Sequence, residues 1–209
     1  MSLKPLPMSA DATAAEHAKR GFDLIVAALG LVLTSPVLIV TALLVRLTSK
    51  GPVFFRQERI GRGFRPFSIY KFRTMRAGAD LGPSVTSHND PRITPLGRRL
   101  RRFKIDELPQ LLNVLKGEMS MVGPRPEVRR YVELFRNDYE EILSVRPGIT
   151  DDASIEFRHE ERILGAATDP QALYVRDVLP QKIELAKRYV RTMGLGRDVV
   201  ILLRTLLHL

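Results

Sequence analysis

Cysteine is absent from the 209 residues, and tryptophan is absent as well. Without cysteine the chain has no disulfides, thiolate zinc sites, iron–sulfur clusters or cysteine nucleophile, and no oxidising compartment is implied. Only four histidines occur, and no two of them lie at the spacing of metal ligands, which argues against a histidine-rich metal site. Hydrophobic residues make up 44% of the chain, enough for a sizeable core, so a disordered protein is excluded.

Positive charge is concentrated in one segment. The chain has 33 Lys and Arg against 23 Asp and Glu, a net charge of +10. Residues 56–104 hold 13 of these basic residues and only 3 acidic ones, so the rest of the chain is neutral. A patch of this kind suits nucleic acid, anionic lipid or a phosphorylated substrate, and charge alone does not choose among the three.

A long apolar run near the N-terminus has the length of a membrane helix. Residues 24–45 are 22 residues without a charge, which as a helix measure about 33 Å, close to the thickness of a hydrocarbon core. Ser35 and Pro36 lie at its centre, where the proline removes a backbone donor and the serine can bond a freed carbonyl.

Basic residues flank this run on both sides, and the positive-inside rule places such flanks in the cytoplasm. Lys19 and Arg20 precede the run, and Arg46 and Lys50 follow it. We therefore predict a re-entrant membrane helix that breaks at Ser35-Pro36 and leaves on the face it entered. An ordinary span that tolerates the proline and a buried helix of a soluble protein are the alternatives.

The remaining sequence predicts an α+β fold that is mainly helical, with a membrane segment over residues 1–50 and a cytoplasmic catalytic domain over 51–209. Residues 53–55 and 67–72 predict a small β-hairpin that turns at 61–63, and 77–95 predict a loop. Helices are predicted at 97–103, 105–115, 127–143, 152–164, 171–179, 181–193 and 197–207. The last is amphipathic and is predicted to lie on the bilayer surface.

Asp106 and Glu107 form the sharpest candidate site. They follow five basic residues within seven positions and open a predicted helix, whose positive dipole end favours a charged carboxylate and attracts phosphate. An ionised Asp beside a bound phosphate is a nucleophile for phosphoryl transfer, and two adjacent carboxylates can hold Mg²⁺ against diphosphate oxygens. The alternative makes Asp106 a helix cap and Glu107 a solvated charge.

Other candidate residues carry weaker signals. Lys71 and Arg73 alternate along one strand face and suit an anion, or else form a solvated face. Arg125 lies between two prolines that stiffen its backbone, which suits bidentate contact with phosphate or a structural ion pair. The segment from Asp90 to Arg92 predicts a turn, and the lone His88 predicts no function.

Together these segments resemble the monotopic phosphoglycosyl transferases, a family of bacterial sugar transferases. The resemblance covers about residues 19–150 and rests on the shared order of its motifs. These motifs are Lys19-Arg20-Gly21-Phe22-Asp23, Ser35-Pro36, Gly51-Pro52-Val53-Phe54-Phe55-Arg56-Gln57, Arg59-Ile60-Gly61, Tyr70-Lys71-Phe72-Arg73-Thr74-Met75, Asp90-Pro91-Arg92-Ile93-Thr94, Leu96-Gly97, Asp106-Glu107-Leu108-Pro109-Gln110-Leu111, Met119-Ser120-Met121-Val122-Gly123-Pro124-Arg125-Pro126 and Arg146-Pro147-Gly148-Ile149-Thr150.

The resemblance implies transfer of a sugar 1-phosphate from a UDP-sugar to undecaprenyl phosphate, with UMP released, at the cytoplasmic face of the inner membrane. It implies that Asp106 is the nucleophile and that Asp106 and Glu107 hold Mg²⁺. It also implies that Lys71, Arg73, Arg92 and Arg125 contact phosphate or nucleotide, and that the membrane helix is re-entrant.

Several points stay open at this stage. Residues 151–158 depart from the stretch that follows Pro-Gly-Ile-Thr in many relatives, which leaves the sugar undetermined. The chain resembles the minimal catalytic form of the family, and its oligomeric state is open. The rival interpretations are a basic nucleic-acid-binding membrane protein, a non-catalytic membrane scaffold of the same fold, and a glycosyltransferase that releases UDP. Signatures of nucleic-acid-binding motifs are missing from the sequence, so we expect no nucleic-acid partner.

Overall fold

The computed structural model describes residues 10–76, 78–79 and 90–207. His88 and most of the predicted loop 77–95 lie outside these residues. The described chain is mainly helical and carries two small two-stranded sheets, so the predicted α+β class is confirmed. The division of the chain at residue 50 stays a prediction, although the first helix ends close to it.

The first helix, α1, runs without interruption over Ala10–Thr48 and contains Pro36. Pro36 cannot donate to the carbonyl of Val32, and the hydroxyl of Ser35 donates to that oxygen instead, at 2.8 Å. The predicted bonding of a freed carbonyl by Ser35 is thus confirmed. The helix continues across Ser35-Pro36, so these residues do not end it, and the re-entrant path through a bilayer stays a prediction.

The length and exposure of α1 are those of a membrane helix. Its apolar stretch has a mean hydropathy of 2.5, and only 11% of that stretch is buried against the rest of the protein. A core helix of a soluble protein is mostly buried, so the alternative of a soluble core helix is wrong. The helix instead indicates association with a membrane.

Both ends of α1 are tied to the domain that follows it. Near the N-terminal end, Lys19 donates to the carboxylate of Asp198 at 2.5 Å and to the carbonyl of Val122 at 3.1 Å. Just beyond the C-terminal end, Ser49 accepts from Arg73 through its carbonyl at 2.8 Å and its hydroxyl at 2.7 Å. One domain thus contacts the helix near both of its ends, and the side of a bilayer on which each end lies stays a prediction.

A β-hairpin follows α1. Strand β1 covers Phe54–Ile60 and pairs antiparallel with β2, Pro66–Phe72, so that Phe54 lies opposite Phe72. The first strand is longer than the predicted 53–55. Residues 56–59 are all polar on both faces of the strand. Because no apolar residues alternate there, the hydrophobic pattern does not indicate a strand.

Two short elements replace the single helix predicted over 105–115. Helix α2, Pro95–Arg102, is followed by a 3₁₀ turn at Ile105–Gln110 and then by α3, Leu111–Lys116, which ends at Gly117. Asn113 of α3 is fully buried; its amide oxygen accepts from the Tyr70 N–H at 3.1 Å, and its amide nitrogen donates to the Ser68 carbonyl at 2.8 Å. These two bonds hold the turn and α3 against β2.

A second sheet, which the sequence did not indicate, sits beside the turn. Strand β3, Ser120–Val122, pairs in parallel with β4, Gly148–Thr150. The two backbone segments cross so closely that a Cβ on Gly148 would lie 2.1 Å from the nitrogen of Gly123. Glycine is therefore required at the crossing, which fixes the start of the segment that carries Arg125.

After β3, the helices predicted at 181–193 and 197–207 are confirmed, whereas the other predicted helices break into shorter elements. The predicted helix 127–143 breaks into α4 and α5 at Phe135, whose backbone angles (φ −117°, ψ 38°) are not helical, and Tyr131 and Tyr139 belong to one core. The predicted helices 152–164 and 171–179 break as well. The observed elements are α4 Arg129–Leu134, α5 Arg136–Ile142, α6 Asp152–Glu156, α7 Glu160–Gly165, α8 Pro170–Leu173, a π turn Tyr174–Val178, α9 Leu179–Thr192 and α10 Leu195–Leu207.

Helix α10 is amphipathic, as predicted. Asp198 and Ile201 are buried against the domain, and an apolar row faces outward. The outward row consists of Val199, Val200, Leu203, Leu206 and Leu207. Its placement on a bilayer surface stays a prediction.

Replacement of Gly148 by alanine tests the strand crossing. We expect Gly148→Ala to lower the free energy of unfolding by about 1–3 kcal/mol, because the new Cβ overlaps the backbone of Gly123. Thermal unfolding in detergent measures the change. Gly196→Ala in α10 is the matched control, since nothing lies within 4 Å of its new Cβ. Equal melting temperatures for the two variants would contradict the crossing.

Candidate active site

Asp106 and Glu107 lie in the 3₁₀ turn that follows α2. The chain enters this turn through Lys104, whose backbone is left-handed with φ of 54°. Both carboxyl groups are buried, with 7% and 8% of each residue exposed. The alternative in which Glu107 is a solvated charge is therefore wrong. Neither residue is the cap of the turn, which is Lys104, so the cap interpretation of Asp106 is wrong as well.

Glu107 joins two cations that the sequence placed far apart. Its Oε1 accepts from Lys71 Nζ at 2.8 Å and from Arg125 Nη2 at 2.7 Å. Burial alone would raise the pKa of Glu107, but the charges of Arg125 and Lys71 outweigh it and hold that pKa well below the usual range. Glu107 is thus a fixed anion. The structure therefore brings both Lys71 and Arg125 to the candidate site. Arg125 forms a structural ion pair there, which was the alternative to its role as a phosphate contact.

Asp106 differs from its neighbour because part of its carboxylate is unused. Its Oδ1 is buried and has no hydrogen-bond partner among the described residues. Burial, followed by the negative charge of Glu107, raises the pKa of Asp106 above its ordinary value. Leaving a buried carboxylate oxygen unpaired is costly, so Oδ1 is well suited to an electrophile or a cation that arrives with a ligand.

Arg73 and Arg92 do not touch the two carboxylates. Arg73 donates to Ser49, and its Nε and Nη1 are buried with no partner in the described part of the chain. Arg92 forms a two-pronged pair with Asp90, at 2.9 and 2.6 Å, and donates to the carbonyl of Ala79 at 3.0 Å. The predicted turn at Asp90–Arg92 is confirmed. Both arginines line the cavity onto which Asp106 opens.

This open cavity has an apolar side and a basic side. Residues of α1, among them Val26, Leu29 and Leu33, line it together with Asp106 and Glu107. The basic side is formed mainly by α2 and the residues just after it, through Arg98, Arg99, Arg101, Arg102 and Lys104. A cavity of this character suits ligands that combine phosphate with an apolar chain.

The carboxylate pair fits a divalent cation only in part. Within residues 10–76, 78–79 and 90–207, no group of three or more His, Asp or Glu is arranged to hold a metal. Asp106 offers a free oxygen, whereas Oε1 of Glu107 is already bound to two cations. Mg²⁺ commonly binds through one or two carboxylates plus phosphate oxygens and water, and the site fits an ion held in that way.

Sequence reasoning missed a residue that holds Arg125. Asp151 is almost fully buried, and its Oδ2 accepts from the backbone N–H of Arg125 at 3.1 Å. Its Oδ1 accepts from the N–H of Ser154 at 2.7 Å and caps α6. The signal available in the sequence was an Asp directly ahead of a short helix, in the segment left without a role.

A family model described as "Bacterial sugar transferase" matches residues 14–209 of the chain. The chain belongs to this family. The resemblance drawn from the ordered motifs is thereby confirmed, and the buried pair Asp106-Glu107 lies within the matched region.

The chain is similar to several curated proteins, three of which illustrate the match. It is 38% identical to the UDP-N-acetylgalactosamine-undecaprenyl-phosphate N-acetylgalactosaminephosphotransferase of Aeromonas hydrophila, over 98% of this chain and 45% of that protein. It is 40% identical to a UDP-glucose:undecaprenyl-phosphate glucose-1-phosphate transferase of Caulobacter vibrioides, over 96% of this chain and 71% of that protein. A transferase of the same name from Escherichia coli is 38% identical, over 90% of this chain and 39% of that protein. The chain thus spans less than half the length of two of these relatives.

Removal of one charge tests the ion cluster of Glu107 with Lys71 and Arg125. We expect Glu107→Gln to lower the free energy of unfolding by about 1–3 kcal/mol, because the half-buried cations Lys71 and Arg125 would then lie without their anion. Urea or thermal unfolding in detergent measures it. Glu133→Gln breaks the exposed pair with Arg136, and we expect it to change stability by less than about 0.5 kcal/mol. Similar losses in both variants would contradict the cluster.

Proposed function

We propose that the chain transfers a sugar 1-phosphate from a UDP-sugar to undecaprenyl phosphate and releases UMP. The observation that carries this proposal is the unpartnered Oδ1 of Asp106 beside a Glu107 whose charge is held by two cations. The names of the relatives, which specify UDP-glucose or UDP-N-acetylgalactosamine and undecaprenyl phosphate, support the same substrate classes.

In the first step, an oxygen of Asp106 attacks the β-phosphorus of the UDP-sugar. A bond forms between that oxygen and phosphorus, and the bond from the β-phosphorus to the bridging oxygen breaks. The bridging oxygen keeps the electron pair and leaves with UMP. The sugar phosphate remains on Asp106 as an acyl phosphodiester.

In the second step, a phosphate oxygen of undecaprenyl phosphate attacks the same phosphorus. The bond to Asp106 breaks, its carboxylate is regenerated, and the product is a polyprenyl diphosphate sugar. UMP leaves before the lipid reacts, so the kinetics are ping-pong. The intermediate carries one negative charge on its phosphodiester where the free enzyme carries one on Asp106. The buried cluster with Glu107, Lys71 and Arg125 therefore keeps the same net charge.

We propose Mg²⁺ as the cation, held by Asp106, with Glu107 at its edge, and by diphosphate oxygens. When bound, Mg²⁺ would neutralise phosphate charge and act as a Lewis acid. Lys71 and Arg125 fix Glu107 and present positive charge to the reacting phosphoryl group. Arg73, with two unpartnered N–H groups, and Arg92 at the rim are proposed phosphate contacts of the cavity.

We further propose that the chain acts at the cytoplasmic face of the bacterial inner membrane. Its membrane helix lines the catalytic cavity, so a lipid phosphate at headgroup level and a UDP-sugar from water reach the same carboxylate. The basic residues of 56–104 then face membrane lipids and both phosphorylated substrates.

Nucleotide release is the primary test. Purified protein in detergent, given Mg²⁺, undecaprenyl phosphate and a panel of UDP-sugars, is expected to release UMP from one donor. The identity of the nucleotide, read by chromatography, separates the possible reactions. UDP in place of UMP would mean transfer of the sugar without its phosphate. No nucleotide from any donor would favour the non-catalytic scaffold.

The nucleophile is tested by Asp106→Asn, which keeps the shape of the side chain and removes its charge. We expect UMP release to fall by roughly 10³-fold or more, while the protein stays folded in the membrane fraction. Asp177→Asn, which alters an exposed pair with Arg176, is the control and should retain full turnover. Turnover of Asp106→Asn close to that of the control would refute the nucleophile.

The re-entrant path is tested by tags at Ala10 and Lys50, on either side of the apolar run. We expect membrane-impermeant reagents to label both tags from the cytoplasmic side only, because one domain binds both ends of α1. A tag at the exposed Ala166 reports the side of the domain. Labelling of the two flanking tags from opposite sides would establish an ordinary span.

A further inference from the structure

Arg125 is held in place from two directions. Its guanidinium binds Glu107, and its backbone N–H binds Asp151 at 3.1 Å. Pro124 and Pro126 have no N–H, so Arg125 supplies the only backbone donor of this three-residue segment. That single donor goes to a carboxylate in a different part of the chain.

Asp151 meets Arg125 because it directly follows β4. The carbonyl of Thr150 accepts from Gly123 at 3.0 Å, and the N–H of Gly148 donates to the Pro124 carbonyl at 2.9 Å. These bonds bring the end of β4 alongside the 123–126 segment. Asp151 is 2% exposed, and its two oxygens accept from the backbone of Arg125 and of Ser154.

From these contacts we infer that Asp151 is a positioning residue, which sets the Arg125 guanidinium on Glu107 by holding the Arg125 backbone. The inference rests on the proposed function, since it concerns the same site. Asp151 touches neither Asp106 nor Glu107 in the described contacts. Its influence on the reaction therefore passes through Arg125.

A helix cap alone would not require this arrangement. Capping α6 uses one oxygen of Asp151, and a serine in its place would do the same. The second oxygen is what joins α6 to Arg125, and a single short hydroxyl cannot bind both N–H groups. Asp151→Ser therefore removes the contact with Arg125 while it keeps a favoured cap.

The first measurement is hydrogen exchange, which does not depend on activity. In Asp151→Ser, we expect the Arg125 amide to exchange faster, read in a peptide spanning 123–128. Asp169→Ser is the matched control, since Asp169 caps the exposed start of α8 and accepts from Gln171 and Ala172. It should leave exchange at Arg125 unchanged. Unchanged exchange in Asp151→Ser would overturn the inference.

The second measurement is UMP release. We expect Asp151→Ser to lower kcat by roughly ten- to a hundredfold, the scale of a misplaced catalytic group, with the melting temperature close to that of Asp169→Ser. In an Arg125→Ala background the same substitution should cause no further loss in the residual turnover. Additive losses, or an unchanged kcat in the single variant, would overturn the inference.

Two further outcomes are distinguishable. If Asp151→Ser does not fold, Asp151→Asn replaces it, because the amide keeps one acceptor and loses the second. If the wild-type protein releases no nucleotide from any donor, the proposed function fails. The exchange comparison then decides the inference alone, with faster exchange at Arg125 supporting it and unchanged exchange overturning it.

Discussion

The ion cluster of Glu107 with Lys71 and Arg125 is the constraint on which the rest of the structure depends. Its three members come from the 3₁₀ turn, from β2 and from the segment after β3. A buried carboxylate without partners would take up a proton, and a buried lysine without partners would lose one. The three elements must therefore meet with little error. Asn113 holds the turn against β2, and the close crossing of Gly123 and Gly148 places the third element. These contacts together bring Glu107, Lys71 and Arg125 within bonding distance.

The membrane helix belongs to the same construction. It lines the cavity on its apolar side, while α2 lines the basic side. Lys19 and Arg20 were interpreted from the sequence as basic flanks; in the structure they bind carbonyls and a buried carboxylate of the domain. The two basic residues from which the membrane topology was predicted thus also fix the orientation of the helix on the domain. The position of α1 on the rest of the protein is then set by hydrogen bonds.

Elements that depend on interactions between residues close in sequence were predicted correctly. The hairpin, the basic helix α2, the amphipathic α10 and the serine that satisfies a carbonyl beside Pro36 all follow from spacing within a few residues. The site residues came from charge and from the family resemblance, and the structure joins two of the four predicted phosphate contacts to the carboxylates. The breaks within the predicted helices 127–143 and 152–164 and the β3–β4 pairing were missed because they depend on packing between distant segments. Asp151 was missed for the same reason, since its second partner lies 26 residues away.

Asn113 also covers part of the outer edge of β2. The edge of β2 would otherwise present the Tyr70 N–H and the Ser68 carbonyl to solvent, and an open strand edge is a template for a strand from another molecule. One side-chain amide binds both groups, so it occupies the place that a third strand would take. The hairpin can thereby remain two-stranded with both of these backbone groups satisfied inside the molecule.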